Sequence, residues 1–318
     1  MDLHKFIKKV NAKTPFSGSL KFDESMSRHT TFRTGGPADL WVRPKKAIFA
    51  VWTAALLEAA EYEGIPVFIL GKGANLLVSD KGIRGIVLDT GFWKGAYKEE
   101  GKGGAISVRA LSGTSVDWLC NWLAWRNLSG LEFLAGMPGS VGGALYMNAR
   151  CYDKSVSDVL AETEVLDKNR GIVSVPFCAE DFSYKKSPFQ NSKTTILSAR
   201  FNVRLCRRFH SSGGIRKEMV KHRRDRKEKG HYRCPSAGSV FKNNRAFGEP
   251  AGKIIADLGL RGLSKGGAAI ASWHGNFIIN TGGASSSDVR FLMDEAARRV
   301  KEERGFDLEP EIILAGEW

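Results

Sequence analysis

The sequence predicts an α+β chain of several parts, and three observations predict it. Short apolar runs of strand length alternate with helix-patterned stretches, and glycines gather at the joins. The 318 residues, 42% of them hydrophobic, supply apolar material for two or three packed domains. No run approaches the roughly twenty uninterrupted apolar residues that a membrane span needs.

Residues 39–42 read as a short strand running into Pro44, and 46–63 carry helical apolar spacing, stopped by Gly64 and Pro66. Residues 67–70 and 85–88 are compact apolar strands, separated by Gly71-Lys72-Gly73-Ala74-Asn75-Leu76. Strand, helix, strand, glycine turn, strand makes a small α/β unit. A second region starts near Phe92. Gly101, Gly103 and Gly104 suggest a turn, 105–110 alternates as a strand should, and 115–126 has helical character. The glycine-rich stretch 130–144 follows, then strands at about 159–167, 171–177 and 194–205. The small residues Ser211-Ser212-Gly213-Gly214 read as a domain boundary. Beyond them come a basic helix, a turn at Ala237-Gly238-Ser239, helices at 251–258 and 287–304 flanking a strand at 276–280, and a final strand at 311–314. The expected domains are 1–91, 92–210 and 211–318.

Forty-eight Lys and Arg against thirty-four Asp and Glu give a net charge of +14, which suits a nucleic acid, an anionic surface or a phosphorylated small substrate. The excess is densest between Arg216 and Arg233, where helix formers and scattered acids also fit a solvated helix face. No stacking motif, helix-turn-helix signature or zinc finger accompanies it, so nucleic acid is not the expected partner. Five cysteines with no CxxC pair point to free thiols rather than a disulfide framework or a zinc site. No metal is expected. The first residues lack the apolar core of a secretory signal, so a cytoplasmic protein is expected.

Two segments exceed the usual role of glycine in tight turns. In 71–76 a buried strand runs into two glycines around Lys72, and backbone N–H groups freed there can converge on phosphate oxygens. In 136–144, Gly136, Pro138, Gly139, Ser140, Gly142 and Gly143 leave little side chain between backbone and ligand. Neither segment is GxGxxG or a Walker A sequence. Other candidates have bland alternatives. Ser239 sits in a small-residue turn and fits a cap or turn serine as well as a proton donor. Glu311, on an apolar terminal strand, fits an outward-facing edge residue. Tyr184, Lys185 and Lys186 fit a surface loop, and His274 fits a hydrogen-bonded structural residue. HExxH and GxSxG are absent, so hydrolysis by zinc or a serine triad has no support.

Taken in order, five segments resemble the UDP-N-acetylenolpyruvoylglucosamine reductase (MurB) family. They are Thr30-Thr31-Phe32-Arg33-Thr34-Gly35-Gly36-Pro37-Ala38, residues 70–79 with Gly82-Ile83-Arg84-Gly85, and residues 128–148, 237–243 and 308–314. The resemblance implies an FAD-binding fold of the vanillyl-alcohol-oxidase (PCMH) type, with two subdomains and a C-terminal α+β domain for the substrate. It implies that NADPH reduces FAD and that the flavin N5 then gives hydride to the enolpyruvyl ether of UDP-N-acetylglucosamine. By motif, Ser239 is the acid and Glu311 its carboxylic partner; the carboxylate grip falls to Lys185, in the place of the family's arginine, or to Lys186 shifted in. The cofactor residues implied are Arg33, Thr34, Gly35, Gly71, Lys72, Gly73, Ala74, Asn75, Leu76, Ser112, Gly136, Pro138, Gly139, Ser140, Gly142, Gly143 and Asn148. Those for the substrate are Tyr184, Arg226, Lys227, Lys242, Asn243 and His274.

The sequence departs from the family in three places. Tyr184-Lys185 replaces a Tyr-Arg pair, and lysine lacks arginine's planar two-pronged fork. Arg150 and Asp153 replace glycines in Asn148-Ala149-Arg150-Cys151-Tyr152-Asp153, and Ala74 stands where serine is common. The short segment before the basic helix resembles the class without the long tyrosine-bearing loop. A monomer or weak oligomer, not inserted in a membrane, is expected. The rivals are another FAD oxidoreductase of the same fold and a basic nucleic-acid-binding protein.

Overall fold

The computed structural model describes residues 2–100, 106–167, 170–190, 192–206 and 209–318. Seven α-helices occur among them: α1 (Leu3–Lys13), α2 (Phe49–Tyr62), α3 (Val116–Ala124), α4 (Val141–Tyr146), α5 (Phe209–Glu228), α6 (Ala251–Asp257) and α7 (Ser286–Arg304). The chain forms two compact units, each assembled from separate stretches: 1–22, 40–72 and 85–224 in the first, 23–39, 73–84 and 225–318 in the second.

In the first unit, one sheet has the strand order Gly18–Ser25, Pro37–Pro44, Ile83–Asp89, Val67–Leu70. The last two pair in parallel, and α2 lies in the connection from Pro37–Pro44 to Val67–Leu70. Phe6, Val10, Leu40, Trp52, Leu56, Ile86 and Leu88 close the core between this sheet and the helices α1 and α2. A second, five-stranded sheet has the order Gly171–Pro176, Leu160–Asp167, Thr195–Asn202, Ile106–Leu111, Ala96–Glu100, antiparallel throughout. The helices α3, α4 and α5 bury Leu119, Leu123, Leu145 and Met219 with Val108 and Phe201 of that sheet. The turn expected at Gly101, Gly103 and Gly104 lies outside the described residues.

The second unit packs α6 and α7 with the short strands Ala268–Ile270 and Ile278–Asn280, burying Val240, Ile254, Leu292, Met293 and Val300. Ser285 and Asp288 form a reciprocal cap at the start of α7, and Gly305 ends it at φ +71°. Asp80 accepts from the backbone N–H groups of Ser286 and Ser287, both at 2.8 Å. The terminal strand, Ile313–Ala315, pairs in parallel with Leu76–Val78.

Three expectations need correction. Ser211–Gly214 is not a turn but part of α5, whose burial of Ile215, Met219 and His222 outweighs the poor helix propensity of its serines and glycines. Glu311 precedes the final strand rather than lying on it, and the strand expected from 276 begins at Ile278.

Candidate active site

In the first unit the two glycine segments meet. The strand Val67–Leu70 ends at Gly71, where a methyl group would lie 2.5 Å from Ser140 Oγ. Ser140 is buried and caps α4, its Oγ accepting from the Gly143 N–H at 3.3 Å. Gly142 donates its N–H to the Ser112 carbonyl at 2.8 Å, and a side chain at Gly142 would press within 2.9 Å of the Ser112 Cβ. Gly139 holds φ +146°, which a side chain adopts only with strain. Ser112 is 2% exposed and its hydroxyl has no hydrogen-bond partner. A buried, unpaired hydroxyl beside backbone stripped of side chains fits a polar ligand at this spot. Pro138 and Lys72 are exposed.

The second unit carries a matching set. Arg33 and Gly35 hold φ +58° and +121°, and Thr34 between them is buried with its own hydroxyl unpartnered. Gly73, at φ +61°, lies so close to His29 that any side chain would overlap the His29 carbonyl; the Thr31 N–H donates to the Gly73 carbonyl at 3.1 Å. Ala74 is half-buried and Leu76 buried. In both units, then, orphaned hydroxyls sit beside glycines that admit a close approach. The residues present fit a dinucleotide cofactor.

Tyr184 and Lys185 form the tip of a tight turn in the first unit. Ser183 and Lys186 exchange backbone hydrogen bonds of 3.3 and 3.1 Å, and Lys185 holds φ +59°. Gln190 donates to the Lys185 carbonyl at 3.0 Å, and Asn148 to the Ser183 carbonyl at 2.9 Å. Asn148 also accepts from the Ser157 N–H at 3.3 Å, so its side chain braces this turn. The Lys185 ammonium lies 5.9 Å over the Tyr184 ring.

Nearby, Arg150–Cys151 and Lys154–Ser155 form a hairpin whose two-residue turn is Tyr152 (φ +50°) and Asp153 (φ +61°). Two left-handed residues make the turn that matches strand twist. Of the two replaced glycines, only Asp153 therefore stands where glycine relieves strain; Arg150 is ordinary strand backbone. Tyr152 stacks on His222 of α5 with ring centroids 3.9 Å apart and donates to its carbonyl at 3.2 Å, a contact that nothing in the sequence signals.

In the second unit, Ser239 and Glu311 come together through backbone. Ser239 bridges Phe277, and the next residue, Val240, donates to the Asn276 carbonyl at 2.9 Å and accepts from the Glu311 N–H at 2.7 Å. Buried Asn276 fixes the turn further, exchanging hydrogen bonds of 2.9 and 2.8 Å with the Phe241 backbone. Asn75 donates to the Glu311 carbonyl at 3.0 Å and accepts from the Ile313 N–H at 2.9 Å, which ties the end of the first glycine segment to Glu311.

Two imidazoles flank Phe277. His274 stacks on it at 4.2 Å and His231 meets it edge-on at 4.8 Å. Burial, aided by the Arg226 charge, pushes His231 down to about 4. Burial, then the Arg261 charge, lowers His274 as well. Both rings are thus neutral near pH 7, and His231 is a residue the sequence did not single out. Arg226 is buried and Lys227 exposed. Lys242 pairs with Glu309, and Asn243 accepts from the first N–H of α6 at 3.0 Å.

A family model for the C-terminal domain of UDP-N-acetylenolpyruvoylglucosamine reductase matches residues 229–315, and one for an FAD-binding domain matches residues 53–175. The chain is 41% identical to the UDP-N-acetylenolpyruvoylglucosamine reductase of Treponema denticola, covering 95% of each chain. It is 36% identical to that of Borreliella burgdorferi, covering 99% of this chain and 98% of the other. Among solved structures, the UDP-N-acetylenolpyruvylglucosamine reductase of Thermus caldophilus superposes with a TM-score of 0.72 at 32% identity, over 94% of this chain and 99% of that one. The fold is accordingly the FAD-binding, vanillyl-alcohol-oxidase type with a C-terminal α+β domain, as the sequence implies, and the protein is a flavin oxidoreductase. The chain belongs to the UDP-N-acetylenolpyruvoylglucosamine reductase family.

Proposed function

We propose that the protein reduces UDP-N-acetylglucosamine enolpyruvate to UDP-N-acetylmuramate with NADPH, in the cytoplasm, as a step of peptidoglycan precursor synthesis. One observation carries the reading furthest: the backbone joint between Val240 and Glu311, which holds the proposed acid Ser239 and the proposed carboxylic partner Glu311 in one small assembly. FAD, when bound, supplies the hydride for the enolpyruvyl carbon. The chain's own residues supply the proton and the placement. A serine hydroxyl is a poor acid, so it donates only to a strongly basic carbanion, and only where its position is fixed in advance. The hydrogen bonds of Val240 and Asn276 give that fixity, since they hold the turn by its backbone and leave the Ser239 side chain to its task.

Lys185 is our candidate for the substrate carboxylate, at the tip of a turn braced by Asn148 and Gln190. As a point charge it grips less selectively than the family's arginine. Arg226 and Lys227 are candidates for the UDP diphosphate, and Tyr184, Lys242, Asn243 and His274 for the rest of the sugar nucleotide. The Lys242–Glu309 pair and the α6 contact of Asn243 leave these two a supporting part rather than a free grip. We assign 1–91 and 92–210 to the flavin and 211–318 to the substrate.

The test is optical. The purified protein is expected to be yellow, to bleach with NADPH under anaerobic conditions, and to regain colour with the enolpyruvyl substrate. Bleaching without recovery of colour would favour a different flavin oxidoreductase. A colourless protein with tight, salt-sensitive DNA binding would favour the nucleic-acid reading.

A further inference from the structure

Three tryptophans not assigned to the candidate site form a stripe along α3 and its end. Trp118, Trp122 and Trp125 are four and three residues apart, so they share one helix face. Trp118 is 46% exposed and Trp125 73%, unusual for a side chain that gains so much from burial. The Trp118 and Trp122 ring centroids are 6.4 Å apart. Two guanidinium groups lie on the stripe: Arg126 is 3.9 Å over Trp122, and Arg216 of α5 is 4.7 Å over Trp125.

The helix α5 runs antiparallel beside α3. Its Arg223 bonds Asp117 at 2.7 Å and Asn121 at 2.9 Å, while Arg216 reaches Trp125 at the far end. The exposed face of α5 adds Lys217 and Lys221 around Val220, which is 61% exposed. Of the acids here, Asp117 is paired with Arg223, and the half-exposed Glu218 lies in hydrogen-bond contact with His222, leaving the cations in excess. The surface therefore combines open indoles, a little aliphatic surface and an excess of positive charge.

We propose that this face docks reversibly on an anionic lipid surface. The indoles of Trp118 and Trp125 enter the headgroup layer, and Arg126 and Arg216 meet lipid phosphates. Indole is apolar with one polar edge, which places tryptophan at the boundary between lipid and water. Lysine and arginine beside an anionic leaflet are each attracted to it. The apolar area is small, so peripheral association results, and no helix of the described residues is long and apolar enough to cross the membrane. Single-stranded nucleic acid also favours tryptophan and arginine, but it is read by bases stacking on open ring faces. Arg126 and Arg216 already lie over Trp122 and Trp125. A second copy of the chain would bring like charge against like charge. None of these residues has a part in the proposed reaction, so this surface and that reaction stand or fall separately.

The test uses the FAD-loaded full chain, sedimented with phosphatidylcholine vesicles with and without phosphatidylglycerol. Co-sedimentation is expected only with phosphatidylglycerol and is expected to fade as salt rises. The Trp118→Ala/Trp125→Ala variant should partition at least about tenfold more weakly, and Arg126→Glu/Arg216→Glu should do so too, each cation being worth about fivefold. Circular dichroism of both variants should match the parent. The proposal is overturned if the parent ignores anionic vesicles, if it binds neutral vesicles equally, or if both variants bind like the parent. A thymidine oligonucleotide bound more tightly than vesicles through the same residues would also overturn it, as would a dimer in light scattering that needs Trp118 and Trp125.

Discussion

The backbone N–H of Glu311 donates to the carbonyl oxygen of Val240 at 2.7 Å, so the residue beside Ser239 holds the residue proposed to work with it. Removing the Ser239 hydroxyl leaves that bond untouched. Ser239→Ala is therefore expected to keep its fold and its flavin reduction by NADPH. Reoxidation by the enolpyruvyl substrate should fall by roughly 10²–10⁴-fold, the usual worth of a well-placed proton donor. Stopped-flow absorbance resolves the two half-reactions, and near-normal rates in both would remove Ser239 from its role.

Gly71 tests the meeting of the glycine segments. In Gly71→Ala the new methyl group falls 2.5 Å from Ser140 Oγ, whereas the next Ser140 atom is 3.7 Å away. The single variant should purify with little flavin, read from its visible absorbance relative to protein. Adding Ser140→Ala removes the offending oxygen and should restore part of the flavin content, Ser140 being itself a candidate cofactor residue. The double variant should still melt lower than the parent, because losing the α4 cap costs about 1 kcal/mol.

Lys185 sits at a turn tip with φ +59°, its backbone held by Gln190. Lys185→Arg keeps the charge and adds a fork that matches a carboxylate. We expect kcat/KM for the enolpyruvyl substrate to rise while flavin reduction by NADPH stays unchanged. A fall in turnover would count against Lys185 as the carboxylate grip.

His231 sets a pH dependence of stability. In the folded protein its imidazole stays neutral down to about 4, against an ordinary value of 6.5. Between those values the unfolded chain binds the extra proton and the folded one does not, so acid favours unfolding. The contribution of His231 is thus fully present above pH 6.5 and is lost as pH falls towards about 4. His274, lowered in the same sense, adds to the slope. Urea melts across this window should show the midpoint falling for the parent and falling less steeply for His231→Gln. Equal slopes would mean that the ring is not held neutral.

The sequence tells the elements of the first unit well, because Val67–Leu70, α2 and Leu160–Asp167 carry apolar patterns that burial requires locally. It misplaces Ser211–Gly214, since small residues read as a turn until the packing of α5 is known. The glycine segments and Ser239 stand out by composition and by family resemblance. What holds them does not. Asn75 with Glu311 and Phe241 with Asn276 are pairings between distant stretches, and no local pattern announces a partner 236 residues away. Tyr152 reaching His222 and His231 against Phe277 are invisible for the same reason, each looking like an ordinary turn or surface residue until the chain is folded.

The parallel pairing of Ile313–Ala315 with Leu76–Val78 bears on how the molecule comes to exist. The second unit draws on 23–39 and 73–84 but is completed by 225–318, so Leu76–Val78 lack their sheet partner until Ile313–Ala315 have been made. Closing so wide a loop is entropically slow and comes late in folding. The Gly73–Asn75 turn is therefore completed only once that strand is in place, and loss of Ile313–Ala315 would strip it of the strand against which it is built.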